Sequence, residues 1–100
     1  MLYRITYSEL AKQEIENIFN YIVYDLKNVK AAIDLRNNIN RKFKSLKQFP
    51  YTYPIYKTQK DLEEEYRILV VNNYLLFYIV DDANKKISIE RVIYRRKKLD

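Results

Sequence analysis

Four arginines in the second half of the chain, Arg67, Arg91, Arg95 and Arg96, are the side chains best suited to act on a phosphodiester. Cleavage of RNA without a metal requires that the charge on the crowded phosphorane be neutralised, and guanidinium groups match phosphate oxygens in paired geometry. Arg67 lies in an apolar segment and Arg91 in the last such segment, so antiparallel pairing can bring the two together. We therefore treat these arginines as candidate catalytic residues of a nuclease.

A competing interpretation gives Arg67 and Arg91 no part in chemistry. Glu65 lies two residues before Arg67, and Glu90 directly precedes Arg91. Arginines on the surface of a sheet commonly pair with acids of this kind, and such pairs are ordinary structural features. The residue types and their spacing leave both interpretations open.

The acid–base half of a nuclease site is poorly represented, because the sequence contains no histidine and no cysteine. These residues are also the usual zinc ligands, so we expect neither a metal site nor a cofactor. Tyr94 is the remaining candidate catalytic base. Its hydroxyl has an ordinary pKa of ~10, so it would need cationic neighbours such as Arg95 and Arg96 to act near neutral pH.

Positive charge is concentrated in two clusters. The chain has 19 Lys and Arg against 13 Asp and Glu, a formal charge of +6. A cationic surface favours an anionic partner, either nucleic acid or an acidic protein. The clusters that we expect to contact a target or an acidic partner contain Arg41 and Lys44 on a predicted helix, and Arg95, Arg96, Lys97 and Lys98 near the C-terminus. For the helical cluster the alternative is an ordinary solvated face.

The 11 tyrosines suggest a second mode of binding, because aromatic faces stack on unpaired bases. Most of them fall at inward strand positions or on apolar helix stripes, where packing explains them. Tyr51, Tyr53 and Tyr56 belong to a proline-punctuated loop, and they are the group that could be exposed enough to bind a ligand. The equal alternative is that they cap the open end of the core.

The first half of the chain predicts one strand and two helices. Residues 2–7 alternate as a strand does, and Ser8 then occupies a helix N-cap position. Apolar residues recur from Ala11 at spacings of four, three and four, which predicts a helix to about Leu26. A second apolar stripe starts at Ala32, so close behind the first helix that the two must form a hairpin.

Three β-rich runs follow, at residues 66–71, 74–80 and 87–94. Asn72-Asn73 joins the first two, and asparagine tolerates the positive φ of a tight hairpin. The order β-α-α-β-β-β predicts one α+β domain over residues 1–100, with the helical hairpin on one face of a small antiparallel sheet to which the first strand is added. No apolar run approaches the ~20 residues of a membrane span, so we expect a soluble, cytoplasmic protein.

Several short segments follow one another in a distinctive order: residues 14–22 (EIENIFNYI), the alanine pair at 31–32, residues 46–50 (LKQFP), residues 66–78 (YRILVVNNYLLFY) and residues 89–96 (IERVIYRR). In this order they resemble the RelE/ParE toxin superfamily, and the similarity runs from about Tyr3 to Leu99. The resemblance implies the toxin of a type II toxin–antitoxin module, held silent by an acidic antitoxin in a hetero-oligomeric complex. RelE-like members cleave mRNA on the ribosome, whereas ParE-like members poison DNA gyrase and are not known as nucleases.

Within the superfamily, several details are typical of ParE-like chains. They are the Leu-x-x-Phe-Pro exit of the second helix, the seven residues from Arg67 to Tyr74, and Leu75 in a place where RelE-like chains usually carry arginine. Tyr94 departs from the pattern, because ParE-like chains commonly have histidine there. We therefore expect a ParE-like gyrase inhibitor. The alternatives are a RelE-like, ribosome-dependent endoribonuclease that uses the arginines and Tyr94, and a non-toxic remnant that only binds an antitoxin.

Overall fold

The computed structural model describes residues 2–58 and 62–96 of the 100-residue chain. The predicted order of elements is confirmed. The elements are strand β1 (Arg4–Tyr7), helix α1 (Glu9–Asn20) with a following π-helical turn (Tyr21–Asp25), helix α2 (Val29–Gln48), and strands β2 (Arg67–Val71), β3 (Tyr74–Asp81) and β4 (Lys86–Tyr94). None of the helices in this described part is long and apolar enough to cross a membrane.

Helix α1 begins where the sequence predicts, because the Ser8 hydroxyl accepts the Ala11 N–H at 3.0 Å. Its end differs from the prediction of a regular helix to Leu26. The chain widens into a π turn in which the Leu26 N–H donates to the Tyr21 carbonyl at 3.0 Å. Lys27 then takes a positive φ of 51°, which turns the chain towards α2. Apolar periodicity marks the buried side of a helix and does not report such local widening.

The sheet has the order β1-β4-β3-β2. β2, β3 and β4 form an antiparallel meander, as predicted, but β1 is added to β4 in parallel, with Ile5 opposite Ile87. The sheet is therefore mixed rather than wholly antiparallel. The alternation of residues in a strand determines which face is buried, and it carries no information on the direction of the neighbouring strand.

The core lies between the two helices and one face of this sheet. The α+β architecture of a helical hairpin on a small sheet is confirmed, and the predicted stripe of α2 is buried at Ala32, Leu35, Ile39 and Leu46. The register shifts between Phe77 and Tyr78, which leaves Glu90 as the extra residue of β4. Helix α1 buries Ala11 completely. The large side chains of the sheet that are fully buried are Leu69, Val71, Leu76, Tyr78, Ile87 and Ile89.

The Tyr78 side chain anchors the loop after α2 to this core. Its hydroxyl donates to the Pro50 carbonyl at 2.7 Å, and burial raises the pKa of Tyr78 to about 12. A buried hydroxyl without a partner would be unfavourable, so the proline loop satisfies the tyrosine while the tyrosine holds the loop in place.

Candidate target-binding surface

The tight turn between β2 and β3 connects α2 with the end of β4. Asn72 adopts a φ of 53°, as the Asn72-Asn73 dipeptide predicts for a tight hairpin. The side-chain amide of Asn38 on α2 donates to the Asn72 side-chain oxygen at 2.9 Å. The Asn73 carbonyl accepts the backbone N–H of Arg95 at 2.7 Å. We call Asn38, Asn72 and Asn73 the asparagine bridge.

The asparagine bridge brings two of the predicted binding clusters to the same end of the molecule. The Arg41 guanidinium donates to the Asn38 side-chain oxygen at 2.9 Å, so it lies one contact from the β2–β3 turn. Arg95 lies on the other side of that turn through its backbone contact with Asn73. Arg41 of the helical cluster and Arg95 of the C-terminal cluster, which are distant in sequence, are therefore linked through the asparagine bridge.

The cations of these clusters are exposed and carry no acid partner within the described residues. Arg41, Lys44, Arg95 and Arg96 are all exposed, and none of them forms an ion pair in residues 2–58 and 62–96. We call Arg41, Arg95 and Arg96 the cationic rim. Lys97 and Lys98, the rest of the predicted C-terminal cluster, lie outside the described residues.

A groove opens beside the asparagine bridge, between the π turn and the β2–β3 turn. Its volume is about 680 Å³, and its walls include three tyrosines, Tyr21, Tyr74 and Tyr94, together with Asn72 and Asn73. The Tyr74 and Tyr94 rings meet edge to face with 5.7 Å between their centroids. Tyr21 and Tyr94 remain 53% and 43% exposed. We call this feature the tyrosine groove.

Tyr74 is the tyrosine of the groove whose pKa responds to its surroundings. Burial raises the pKa of Tyr74, and the neighbouring Tyr94 and Tyr21 hydroxyls raise it further. The raised pKa keeps the Tyr74 hydroxyl neutral near neutral pH, and the described residues that line the groove include no charged side chain. The π turn has a direct part in this arrangement, because it buries Ile22 in the core while its neighbour Tyr21 faces the groove.

Arg67, a predicted catalytic residue, is held in the proline loop. Its guanidinium donates to the carbonyls of Tyr53 and Tyr51 at 2.8 and 3.3 Å, and it pairs with Glu65 at 3.2 Å. It also lies over the Tyr51 ring, 5.0 Å from the centroid. Only 15% of the side chain is exposed. The predicted pairing with Glu65 is confirmed, and the guanidinium is occupied by protein acceptors.

Arg91, the second predicted catalytic residue, is held by a residue that the sequence did not single out. Its Nε and terminal nitrogen donate to the two carboxylate oxygens of Glu14 on α1, at 2.8–3.1 Å. The same carboxylate accepts the backbone N–H of Val92 at 2.8 Å, at the edge of β4 where β1 has ended. This hydrogen bonding to Glu14 raises the pKa of Arg91. The expected partner Glu90 instead accepts from Ser88.

Strand pairing does not bring Arg67 and Arg91 together, contrary to the expectation from the sequence. Arg67 lies opposite Tyr78, and Arg91 lies opposite Phe77. Neighbouring residues of a strand point to opposite faces, and Tyr78 is buried towards the core while Phe77 packs against the Tyr56 ring on the other face. The two arginines therefore project from opposite faces of the sheet.

The tyrosines that are available for binding also differ from the expected set. Tyr51 is exposed, but Tyr53 packs against the core and Tyr56 contacts Phe77 edge to face with 5.1 Å between the ring centroids. Of the two interpretations of this loop, exposure therefore holds for Tyr51, and packing against the core holds for Tyr53. The tyrosine groove was missed because its walls come from segments that are distant in sequence, namely α1 with the π turn, α2, the β2–β3 turn and the end of β4.

No group of three potential metal ligands occurs among the described residues. The features that remain for binding are the cationic rim and the tyrosine groove, joined by the asparagine bridge. Tyr94 lies in the groove wall, next to two exposed arginines. This surface offers aromatic faces, amide groups and positive charge at one end of the molecule.

A comparison with protein families decides the classification. The family model described as "ParE toxin of type II toxin-antitoxin system, parDE" matches residues 5–99. The chain belongs to this family. The match runs from within β1 past the end of β4. No curated protein sequence matches the chain significantly.

Solved structures with the same fold include both branches of the superfamily. The chromosomal ParDE system from P. aeruginosa aligns with a TM-score of 0.66 at 17% identity, over 93% of this chain and 96% of that one. The RelBE2 toxin–antitoxin complex from Mycobacterium tuberculosis gives 0.65 at 16%, over 95% and 100%. The archaeal RelE–RelB complex from Pyrococcus horikoshii OT3 gives 0.62 at 13%, over 98% and 100%. At these identities the likeness establishes the fold of this family member.

Proposed function

We propose that this chain is the toxin of a type II toxin–antitoxin module and that it arrests growth by inhibiting DNA gyrase through protein–protein contact. The observation that carries the proposal is the match of the ParE toxin family model to residues 5–99. ParE-like toxins poison gyrase and are not known as nucleases. The resemblance noted in the sequence, above all the helix exit at residues 46–50, favours the same branch.

The positions of the candidate catalytic arginines support binding rather than chemistry. Arg67 and Arg91 lie on opposite faces of the sheet, and each guanidinium already donates to acceptors of the chain itself. A transition state is stabilised by donors that are aimed in advance at the developing charge. Two occupied guanidinium groups on separate faces cannot provide that arrangement without breaking contacts within the fold.

We assign the contact with gyrase to the surface that carries the cationic rim and Lys44. The same positive charge suits an acidic antitoxin segment, which would silence the toxin by covering this surface in a hetero-oligomeric complex. Lys97 and Lys98 would extend the docking area at the C-terminus. Because gyrase acts on the chromosome, the protein would work in the cytoplasm.

A second candidate function is that of a RelE-like, ribosome-dependent endoribonuclease. It is favoured by the likeness to the RelBE2 and archaeal RelE–RelB structures, and by the position of Tyr94 next to the exposed Arg95 and Arg96. In that case Tyr94 would move the proton and the two arginines would bind phosphate, with the ribosome supplying the rest of the organisation.

The experiment that separates the two functions is induction of the chain in a bacterial host, with thymidine and methionine incorporation followed in parallel over the first minutes. We expect DNA synthesis to fall first while translation continues. An early fall of translation would overturn the gyrase proposal in favour of the nuclease. If neither falls, the chain is not a toxin, and the antitoxin-binding remnant becomes the better description.

The surface assignment has its own test in the same host. The double variant Arg95→Ala/Arg96→Ala should lose toxicity while its thermal unfolding midpoint stays unchanged, because both side chains are exposed and unpaired within the described residues. The matched control is Lys12→Ala/Lys30→Ala, which removes two exposed cations on the helices that pair with neighbouring acids. Equal toxicity of the two double variants would contradict the assignment.

A further inference from the structure

The tyrosine groove is a concave site in which aromatic faces are open to solvent. Tyr21 and Tyr94 each leave about half of the side chain exposed, on two walls of a cavity of about 680 Å³. That volume falls within the range of ~300–1,000 Å³ that is typical of ligand sites. An exposed ring in a groove of this size can stack on a flat aromatic ligand.

The groove also carries amide groups that are free to hydrogen-bond a ligand. The Asn72 side-chain oxygen accepts from Asn38, but its NH₂ group has no partner among the described residues. The Asn73 side chain likewise has none in that part of the chain, while its backbone carbonyl holds Arg95. Asparagine amides hydrogen-bond to the edges of nucleobases. The bridge keeps these groups at the mouth of the groove, because it ties the turn to α2.

The cationic rim supplies the third requirement, which is positive charge for a phosphate backbone. Arg95 directly follows the groove residue Tyr94, and Arg41 is tied to the groove wall through Asn38. Neither arginine pairs with an acid in residues 2–58 and 62–96. Aromatic platforms flanked by cations are the common design of proteins that bind single-stranded nucleic acid.

We infer that the tyrosine groove binds an unpaired stretch of nucleic acid, with a base stacked on Tyr94 and the flanking phosphates on the cationic rim. This binding goes beyond the proposed contact with gyrase and does not depend on it. A duplex does not fit the same site, because its bases are stacked on each other and offer no free face to a tyrosine. Binding involves no bond cleavage, so the strand leaves the groove intact.

The first test measures the binding of fluorescein-labelled oligonucleotides to the purified full chain by fluorescence anisotropy. The probes are a 12-nucleotide single-stranded DNA without self-complementarity, the RNA of the same sequence, and the corresponding DNA duplex. We expect at least about tenfold tighter binding of the single strands than of the duplex, the loss associated with one stacked base. Equal or tighter binding of the duplex would overturn the inference, because a general polycation behaves in that way.

The two single strands identify the source of the ligand. Comparable affinity for DNA and RNA supports recognition of bases and phosphates alone. A preference for one of the two supports the same site and identifies whether its natural ligand is DNA or RNA. Intact probes on a denaturing gel after the measurement are expected as well. Cleavage of the RNA probe by the isolated chain would contradict the inference and identify a nuclease site in its place.

Variants of Tyr94 test whether stacking carries the binding. Tyr94→Ala should weaken binding of single strands about tenfold or more, whereas Tyr94→Phe keeps the ring and should bind like the parent chain. The matched control is Tyr24→Ala, which removes the exposed ring of a tyrosine on the π turn that does not line the groove. Thermal unfolding of each variant by circular dichroism establishes that it is folded. Equal binding by the folded Tyr94→Ala variant and the parent overturns the inference.

The salt dependence of binding tests the phosphate contacts separately. Loss of one phosphate contact to a single strand lowers the slope of log K against log salt by about 0.7. Arg95→Gln and Arg41→Gln should each produce that change. Lys30→Gln, which removes an exposed lysine of α2 that pairs with Asp34, should leave the slope unchanged. If both arginine variants keep the parent's slope of log K against log salt, the cationic rim does not contact the phosphates, and the inference is overturned.

Discussion

The contact between α1 and the end of β4 gives the sharpest prediction about stability. One Glu14 carboxylate oxygen accepts the Val92 N–H at 2.8 Å, and both oxygens accept from the Arg91 guanidinium. The Glu14 side chain is 17% exposed and that of Arg91 is 40% exposed. Replacement of Glu14 by alanine removes all of these acceptors at once and leaves a strand edge without a partner.

The expected loss follows from the two kinds of contact. A part-buried N–H that loses a charged acceptor costs about 1–3 kcal/mol, and the partly solvated ion pair adds about 1 kcal/mol. Glu14→Ala should therefore lower the free energy of unfolding by about 3 kcal/mol, a large share of the ~5–15 kcal/mol of a natural domain. Glu14→Gln keeps an oxygen for Val92 and should cost about 1 kcal/mol. Arg91→Ala should lie between the two.

Urea denaturation followed by circular dichroism measures these differences. For a chain of this length, a loss of about 3 kcal/mol corresponds to a fall of roughly 12–24 °C in the midpoint of thermal unfolding. Hydrogen exchange should show that the Val92 amide loses protection in Glu14→Ala and keeps it in Glu14→Gln. A Glu14→Ala variant that loses less than about 0.5 kcal/mol, the usual effect of a surface substitution, would refute the structural role of this carboxylate.

Three further predictions concern the core and the asparagine bridge. Tyr78→Phe removes the hydroxyl that donates to Pro50 and should cost about 1–2 kcal/mol in urea denaturation; an unchanged midpoint would contradict the assigned bond. Burial raises the pKa of both Tyr7 and Tyr78 to about 12, against ~10 in an unfolded chain, so stability should be full below pH ~10 and decline as pH rises towards 12. If stability does not change between pH ~10 and ~12, the buried tyrosine hydroxyls are not the cause of the decline. The same conclusion follows if Tyr78→Phe declines as steeply as the parent chain. Asn38→Ala breaks the bridge to the β2–β3 turn and should reduce toxicity while lowering the free energy of unfolding by less than about 1 kcal/mol. The control Asn37→Ala, at the exposed neighbouring position, should retain toxicity.

The elements of the fold were predictable because local chemistry determines them. Ser8 caps α1 as its residue type and position indicate, and the apolar spacing of α2 correctly identifies the residues that face the core. The Asn72-Asn73 dipeptide predicts the positive φ that the turn requires. These signals lie within a few residues of the structures that they determine.

Contacts between distant segments were not predictable in the same way. Glu14 and Arg91 are 77 residues apart in sequence, and Glu90 was the obvious partner only because it is adjacent. The separation of Arg67 and Arg91 onto opposite faces depends on a register that shifts at Phe77. Alternation within a strand reports one burial face, but the register between strands is a property of the assembled sheet.

For the candidate surface, too, the residue types were predictable and the contacts between distant segments were not. Arg41, Lys44, Arg95 and Arg96 were identified from charge alone, which needs no knowledge of the fold. The link between Arg41 and Arg95 depends on the contact of Asn38 with the β2–β3 turn, and no feature of the sequence marks Asn38 among its neighbours.

The measurement that tests the central claim most directly is a supercoiling assay with purified DNA gyrase, ATP and relaxed plasmid, to which the purified chain is added. The account predicts that the chain inhibits supercoiling, that Arg95→Ala/Arg96→Ala loses the inhibition, and that mRNA on translating ribosomes stays intact in a parallel reaction. Unaffected gyrase together with cleaved mRNA would contradict the account and identify the chain as a ribosome-dependent nuclease.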